Sequence, residues 1–315
     1  MACRDGHQSD GQRALRRRAI PAMLLPDRTK GIPMRMQDKV AVITGGASGI
    51  GRRTAERYVE EGGRVIIADI QDAAGEQACA ALGGPDRARF IRCDVLREAD
   101  IAAAVALAGS AWGRLDLMFN NAGRGGVPDP IETMPAEGWD WTMDLLVRSV
   151  LLGIKHATGP MRAQGGGAIV NTASIAGLIP GSTAAAYSVA KASVIHLTKC
   201  AALELAPLRI RVNCVCPGPI ATPIFGRGLN LPSQLDTSVA ARAAAVLDDF
   251  QPLPRGGRPD DIAEGVMYLA DERAGFVTGH ALTIDGGFAA GMRKSDHDRV
   301  WAPLRSAVAG LAESA

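Results

Sequence analysis

From residue 38 onward, seven short apolar runs alternate with longer alanine-rich stretches of helical pattern, and few folds accommodate that alternation. The runs are KVAVITG, RVIIADI, ARFIRCDV, LDLMFNNAG, GAIVNTAS, IRVNCVCPG and ALTIDGG, each ending in a turn-former. Runs without polar alternation are buried on both faces, and helices between them supply parallel crossovers. The expected fold class is therefore α/β, a doubly wound parallel sheet of about seven strands. No Pro/Gly/Ser linker, internal repeat or low-complexity tract divides the series, so a single domain is expected over 36–290. With 315 residues, 47% of them apolar, the chain can bury a sizeable core.

Charge and composition narrow the function. Lys plus Arg (35) exceed Asp plus Glu (33) by only two, so no field favours nucleic acid or an anionic membrane, and no apolar run approaches a membrane span. The six cysteines lack C-x-x-C spacing and read as buried, reduced thiols of a cytoplasmic protein; the five histidines are scattered, and no metal site is expected. The arginine-rich stretch in residues 1–35 is broken by Pro21 and Pro26 and reads as a disordered extension, or as the product of an upstream start codon with Met36 as the real beginning.

Ligands of such sheets bind beyond the carboxyl ends of the strands, where the unusual residues of this sequence collect. TGGASGIG (44–51) closes the first run and opens a helix. Glycines at 45, 49 and 51 permit a tight turn, close approach of a pyrophosphate to backbone N–H groups, and packing of helix on strand. Asp69 ends the second run, where a carboxylate accepts hydrogen bonds from both adenosine ribose hydroxyls. It would repel a 2′-phosphate, and Ser48 adds no cation to the loop, so NAD is expected over NADP. Arg52 and Arg53 are the two cations able to soften that repulsion.

The spacing T-G-x-x-x-G-x-G, with CDV (93–95), NNAG (120–123), Ser174, Y-x-x-x-K (187–191) and PGPIAT (217–222), resembles the short-chain dehydrogenase/reductase family from about residue 36 to 290. The resemblance implies a cofactor set of Gly45, Ser48, Gly49, Ile50, Gly51, Asp69, Ile70, Asp94, Val95, Asn121, Ala122, Gly123, Tyr187, Lys191, Pro217, Gly218, Ile220 and Thr222. Asp94 and Val95 would lie near the adenine, and Pro217 to Thr222 beside the nicotinamide carboxamide.

Tyr187 and Lys191 stand four residues apart on one helix face, in a chain with only three tyrosines. A phenol titrates near ~10, so a base at neutral pH needs a nearby cation. The ammonium of Lys191 is expected to lower it. In the family pattern Ser174 holds the substrate oxygen, Lys191 also holds the nicotinamide ribose, and Tyr187 exchanges the alcohol proton as hydride transfers.

One family position departs. An asparagine is usual on the long helix after the fourth strand, where its backbone holds a water in the proton relay; Leu146 aligns there, and the sequence holds no asparagine between Asn121 and Asn171. Ser149, on the same face, is a candidate substitute, and an altered relay is expected. Residues 222–258 read as an irregular substrate lid whose apolar content suits an uncharged alicyclic or aryl secondary alcohol. In the tail, 291–315, Val300, Trp301, Leu304, Val308 and Leu311 form a helical stripe. The expected protein is an NAD-dependent oxidoreductase of secondary alcohols and ketones, a homotetramer or homodimer as family members commonly are. The alternatives are a ketoacyl-thioester reductase and a catalytically weak NAD-binding regulator.

Overall fold

The computed structural model describes residues 34–228 and 231–312. The expected extension at 1–35 lies outside them but for its last two residues, as do Cys3 and Leu229. Strands and helices alternate as β1 (Val40–Thr44), α1 (Gly49–Glu60), β2 (Arg64–Asp69), α2 (Asp72–Ala81), β3 (Ala88–Arg92), α3 (Glu98–Trp112), β4 (Leu117–Asn120), α4 (Ala136–Met143), α5 (Ser149–Ala163), β5 (Gly167–Thr172), α6 (Ala185–Leu205), β6 (Ile210–Pro217), α7 (Ile224–Gly228), α8 (Asp236–Leu247), α9 (Pro259–Ala270), β7 (Ala281–Ile284) and α10 (Lys294–Ala312). A single turn of π-helix, Asp144–Arg148, joins α4 to α5.

All seven strands are parallel in the order β3-β2-β1-β4-β5-β6-β7. Each of the seven apolar runs supplies one strand. Strand alternation explains their lack of polar residues: in β1, Val40 and Val42 join the core beneath α3, α5 and α6, while Ala41 and Ile43 join the core beneath α1, α2 and α9. The order reverses between β1 and β4, which opens a crevice beyond their carboxyl ends.

Two devices fix the elements that border this crevice. A buried polar chain links neighbouring strands, with Asn120 Nδ2 donating to Asn171 Oδ1 and Asn171 Nδ2 donating to Thr198 Oγ1, each at 2.9 Å. Helix α5 passes Asn120 so closely that a Cβ on Gly153 would fall 1.8 Å from its Oδ1. Helix α1 is held to α9 by Arg57 on Glu264 and by Arg53 on Asp260 at 2.7 Å. Arg52 pairs with Glu56. Both arginines that were candidates to soften a 2′-phosphate are therefore engaged with carboxylates.

The segment expected as an irregular lid carries two helices, α7 and α8. Cysteine burial is also less uniform than expected: Cys93, Cys214 and Cys216 are buried, Cys79 is half-buried and Cys200 is exposed on the outer face of α6. Among the described residues, no His/Cys/Asp/Glu group is placed to hold a metal, and no helix is long and apolar enough to cross a membrane.

Candidate active site

The turn after β1 is shaped by its glycines and tied to β4. Gly45 has φ +64, a left-handed conformation, and a Cβ on Gly51 would lie 2.2 Å from the Gly45 carbonyl oxygen. Thr44 Oγ1 accepts the N–H groups of Asn121 (3.0 Å) and Ala122 (3.1 Å), and Asn121 Nδ2 returns bonds to the Thr44 and Gly45 carbonyls. The Asn121 side chain thus braces the turn. Ser48 begins α1 without a side-chain cap, and the first turn carries no acid, so its leading N–H groups face the crevice without a protein anion.

Asp69, 5% exposed at the end of β2, accepts Ala47 N–H on one carboxylate oxygen and Gln71 N–H on the other. Those bonds aim the carboxylate along the glycine turn. The donors, the helix N-terminus and this acid together fit the adenosine diphosphate portion of a nicotinamide dinucleotide. Beyond Asp69, Ile70 is exposed; Asp94 accepts Leu96 N–H at 3.0 Å; Val95 is buried. The segment from Pro217 meets the same turn, since a Cβ on Gly49 would touch Thr222 at 3.5 Å. Gly218 packs on Asp285, and Ile220 bridges to Gly257. The structure therefore gathers the predicted cofactor residues along the carboxyl edge of the sheet.

Ser174, Tyr187 and Lys191 meet at the carboxyl end of β5. Ser174 caps a short turn, Ile175–Gly177, through Ala176 N–H at 3.1 Å, and Ser188 donates to the Ala176 carbonyl at 2.6 Å. Gly177 lets that turn approach α6, because a Cβ there would stand 2.6 Å from the Lys191 carbonyl carbon. Lys191 is 5% exposed; its Nζ donates to the Thr172 carbonyl at 2.7 Å and lies 5.6 Å from the centre of the Tyr187 ring.

The electrostatics differ from expectation. Burial pushes the Tyr187 phenol up, and it is the neighbouring Ser174 hydroxyl, not Lys191, that pulls it down. Burial lowers the lysine to about 8, the nearby Cys216 and Cys214 thiols opposing that shift. The resting pair is a neutral phenol beside a strained ammonium.

Leu146 sits in the middle of the π turn, 1% exposed, with Cδ2 3.0 Å from where a Cβ on Gly123 would be. The helix distortion is present without asparagine. Ser149 does not fill the gap: it is buried, and its hydroxyl is committed to the Leu145 carbonyl at 2.5 Å.

Sequence reasoning missed Thr172, which acts through its backbone, and Thr142 and Gly126, which stand beside Tyr187. Backbone carbonyls leave no signal in residue type. Of Thr142 and Gly126, only the adjacent glycines at 125 and 126 were visible.

Comparisons with known proteins agree with this fold. A family model described as enoyl-(acyl carrier protein) reductase matches residues 45–289. The chain is 39% identical to momilactone A synthase of Oryza sativa subsp. japonica, over 80% of this chain and 90% of that protein. It is 38% identical to cis-4-hydroxycyclohexanecarboxylate dehydrogenase of Sinomonas cyclohexanicum, over 80% and 97%. The crystal structure of levodione reductase superposes with a TM-score of 0.73 at 34% identity, covering 82% of this chain and all of that one. With its parallel seven-stranded sheet, its glycine turn and its Ser/Tyr/Lys cluster, this chain belongs to the short-chain dehydrogenase/reductase family of alcohol and ketone oxidoreductases.

Proposed function

We propose that the protein is an NAD-preferring dehydrogenase of alicyclic secondary alcohols, and reductase of the matching ketones, with Tyr187 as general acid/base. The observation that carries this reading is the meeting of Ser174, Tyr187 and Lys191 at the strand edge beside the glycine turn. Bound NAD supplies the hydride acceptor, and NADH the donor. Gly45, Ser48, Gly49, Ile50 and Gly51 hold the pyrophosphate, and Asp69 accepts the ribose hydroxyls while opposing a 2′-phosphate. Ile70, Asp94 and Val95 border the adenine. Asn121, Ala122 and Gly123 line the middle of the crevice, and Pro217, Gly218, Ile220 and Thr222 its nicotinamide end.

Ser174 donates its hydroxyl to the substrate oxygen and orients the reacting carbon. In reduction, the neutral Tyr187 phenol gives its proton to the carbonyl oxygen. Oxidation requires the phenolate first, and bringing a phenol from ~10 to ~7 takes roughly 4 kcal/mol of differential stabilisation. Lys191, anchored by Thr172 and 5.6 Å from the centre of the phenol ring, is the cation placed for this. Reduction therefore runs at neutral pH, and oxidation quickens as pH rises.

The alicyclic class is supported by the exposed apolar residues of the 222–258 segment, Phe225 and Phe250 among them, and by the ring alcohol named for one relative. A cytoplasmic homodimer or homotetramer completes the reading. The exposed Val300, Trp301, Leu304 and Val308 of α10 support assembly.

The test is nicotinamide fluorescence on titrating NADH and NADPH, followed by absorbance assays with cyclohexanols, ketones and acyl thioesters. Tyr187→Phe is expected to bind NADH normally and lose roughly 10³-fold in turnover. Turnover that survives this substitution overturns the assignment. NADPH-dependent reduction confined to acyl thioesters moves it to the ketoacyl-thioester alternative.

A further inference from the structure

After Gly123 the chain passes beside the main chain of Tyr187 on its way to α4, and one buried side chain fixes where it passes. Thr142 of α4 is fully buried; its hydroxyl accepts Val127 N–H at 3.0 Å and donates to the Gly138 carbonyl at 2.8 Å. Its methyl closes on Gly126. A Cβ on Gly126 would lie 2.6 Å from Thr142 Cγ2 and 3.3 Å from the Tyr187 backbone nitrogen. Gly126 is thereby clasped between α4 and the first turn of α6.

The neighbouring residue on α4 holds the same loop at a second point, since the Arg124 guanidinium lies 5.7 Å from the centre of the Trp141 ring. Between these points, a Cβ on Gly125 would meet nothing within 4 Å. The stretch 124–127 is thus tied at both ends, bare of side chains in the middle, and runs from the inner end of the cofactor crevice to the acid/base residue.

We propose that residues 124–127 form the wall of the substrate cleft beside Tyr187, and that Thr142 is the positioning residue that sets this wall. The wall determines how bulky a ring can lie against the phenol. This rests on the acid/base reading of Tyr187. The reasoning is steric and polar together: the hydroxyl fixes the loop's height through Val127, and the methyl fixes its depth through Gly126. A buried hydroxyl that uses both its donor and its acceptor tolerates no apolar replacement without freeing the loop.

The experiment is a double-mutant cycle of Gly126→Ala and Thr142→Ser, read with cyclohexanol and with bulkier 4-substituted cyclohexanols. Gly126→Ala is expected to raise KM about tenfold, most for the bulkier rings, with NADH affinity changed less than about twofold. In the Thr142→Ser background the methyl it strikes is gone, and the same substitution is expected to cost less than about threefold. An equal penalty in both backgrounds overturns the proposal, as does an equal loss of NADH affinity. If Gly126→Ala fails to fold, Thr142→Val replaces it: it keeps the volume, frees the Val127 N–H, and is expected to raise KM, more than Thr142→Ser, which keeps the hydroxyl. A Thr142→Val enzyme with unaltered KM overturns the proposal. Tyr187→Phe runs alongside. Turnover by that variant sinks the acid/base reading, whereas a dead Tyr187→Phe with an uncoupled cycle sinks only the wall.

Discussion

The two ends of the cleft are built in opposite ways. At the nucleotide end, Thr44 is 3% exposed and Asp69 5%, their side-chain oxygens are committed to backbone N–H groups, and the glycines are packed against main chain. In the 222–258 segment, which the proposed function makes the substrate end, Phe225 is 44% exposed, Phe250 52% and Leu253 54%, on or beside two helices that pack mainly against each other. Backbone contacts fix the shape of the first region. The second has apolar surface awaiting something to cover it. One cofactor is thus received by a rigid mould, and a variable substrate by a surface that substitution can reshape at little cost to stability.

If that contrast is right, substitutions should differ sharply between the two ends. The largest effect belongs to Gly51→Ala, whose Cβ would meet the Gly45 carbonyl at 2.2 Å, a contact with backbone that cannot rotate away. It should lose about 3 kcal/mol of stability, read by thermal unfolding. A variant melting with the wild type would break the comparison.

Lys191 sits between the ends and carries a pH signature. Its ammonium titrates near 8 when folded against 10.5 ordinarily, so the unfolded chain binds more protons between those values. Stability of the cofactor-free protein should therefore rise with pH across that window, the whole penalty of about 3 kcal/mol being present below it. Lys191→Met should remove the slope and be more stable at pH 7, while losing turnover; denaturant titrations at pH 7 and pH 10 decide this. A variant less stable at pH 7 would show that the bond to Thr172 outweighs the burial.

Asp69→Asn should weaken NADH by about 10- to 100-fold, because an amide cannot accept from Ala47, Gln71 and a ribose diol on both sides. The NADPH affinity should fall less, narrowing the preference in a fluorescence titration. The smallest effects should come from Phe225→Ala and Phe250→Ala, with stability unchanged within about 0.5 kcal/mol and KM for cyclohexanols raised a few-fold. Equal destabilisation by these and by Gly51→Ala would erase the distinction.

The same contrast explains what could be read without coordinates. The strands were legible because β-branched runs buried on both faces leave no polar alternation. The glycine turn and Asp69 were legible because close backbone approach admits few residue types. Tyr187 and Lys191 were visible because helix periodicity sets their common face.

Other features were hidden for physical reasons. The bond from Lys191 to Thr172 uses a carbonyl that every residue has. The phenol's direction of shift depended on burial outweighing its hydrogen bond with Ser174, a balance that spacing does not contain. The helices of the 222–258 segment were obscured by prolines and glycines that punctuate them, and Thr142 looks like any threonine in an amphipathic stretch.

The π turn at Asp144–Arg148 also makes the chain sensitive to its own length. One residue more than a regular helix needs is stored there, and losing any one of the five would let α4 and α5 merge into a continuous rod at no cost in hydrogen bonds. Helix α4 would then turn by about 100° relative to α5. Trp141 and Thr142 would swing away from the loop they hold, while every downstream residue kept its place. A single-codon deletion here would misassemble the cleft and, by unseating the buried Thr142, cost stability as well, so that unfolding and activity screens should both catch it.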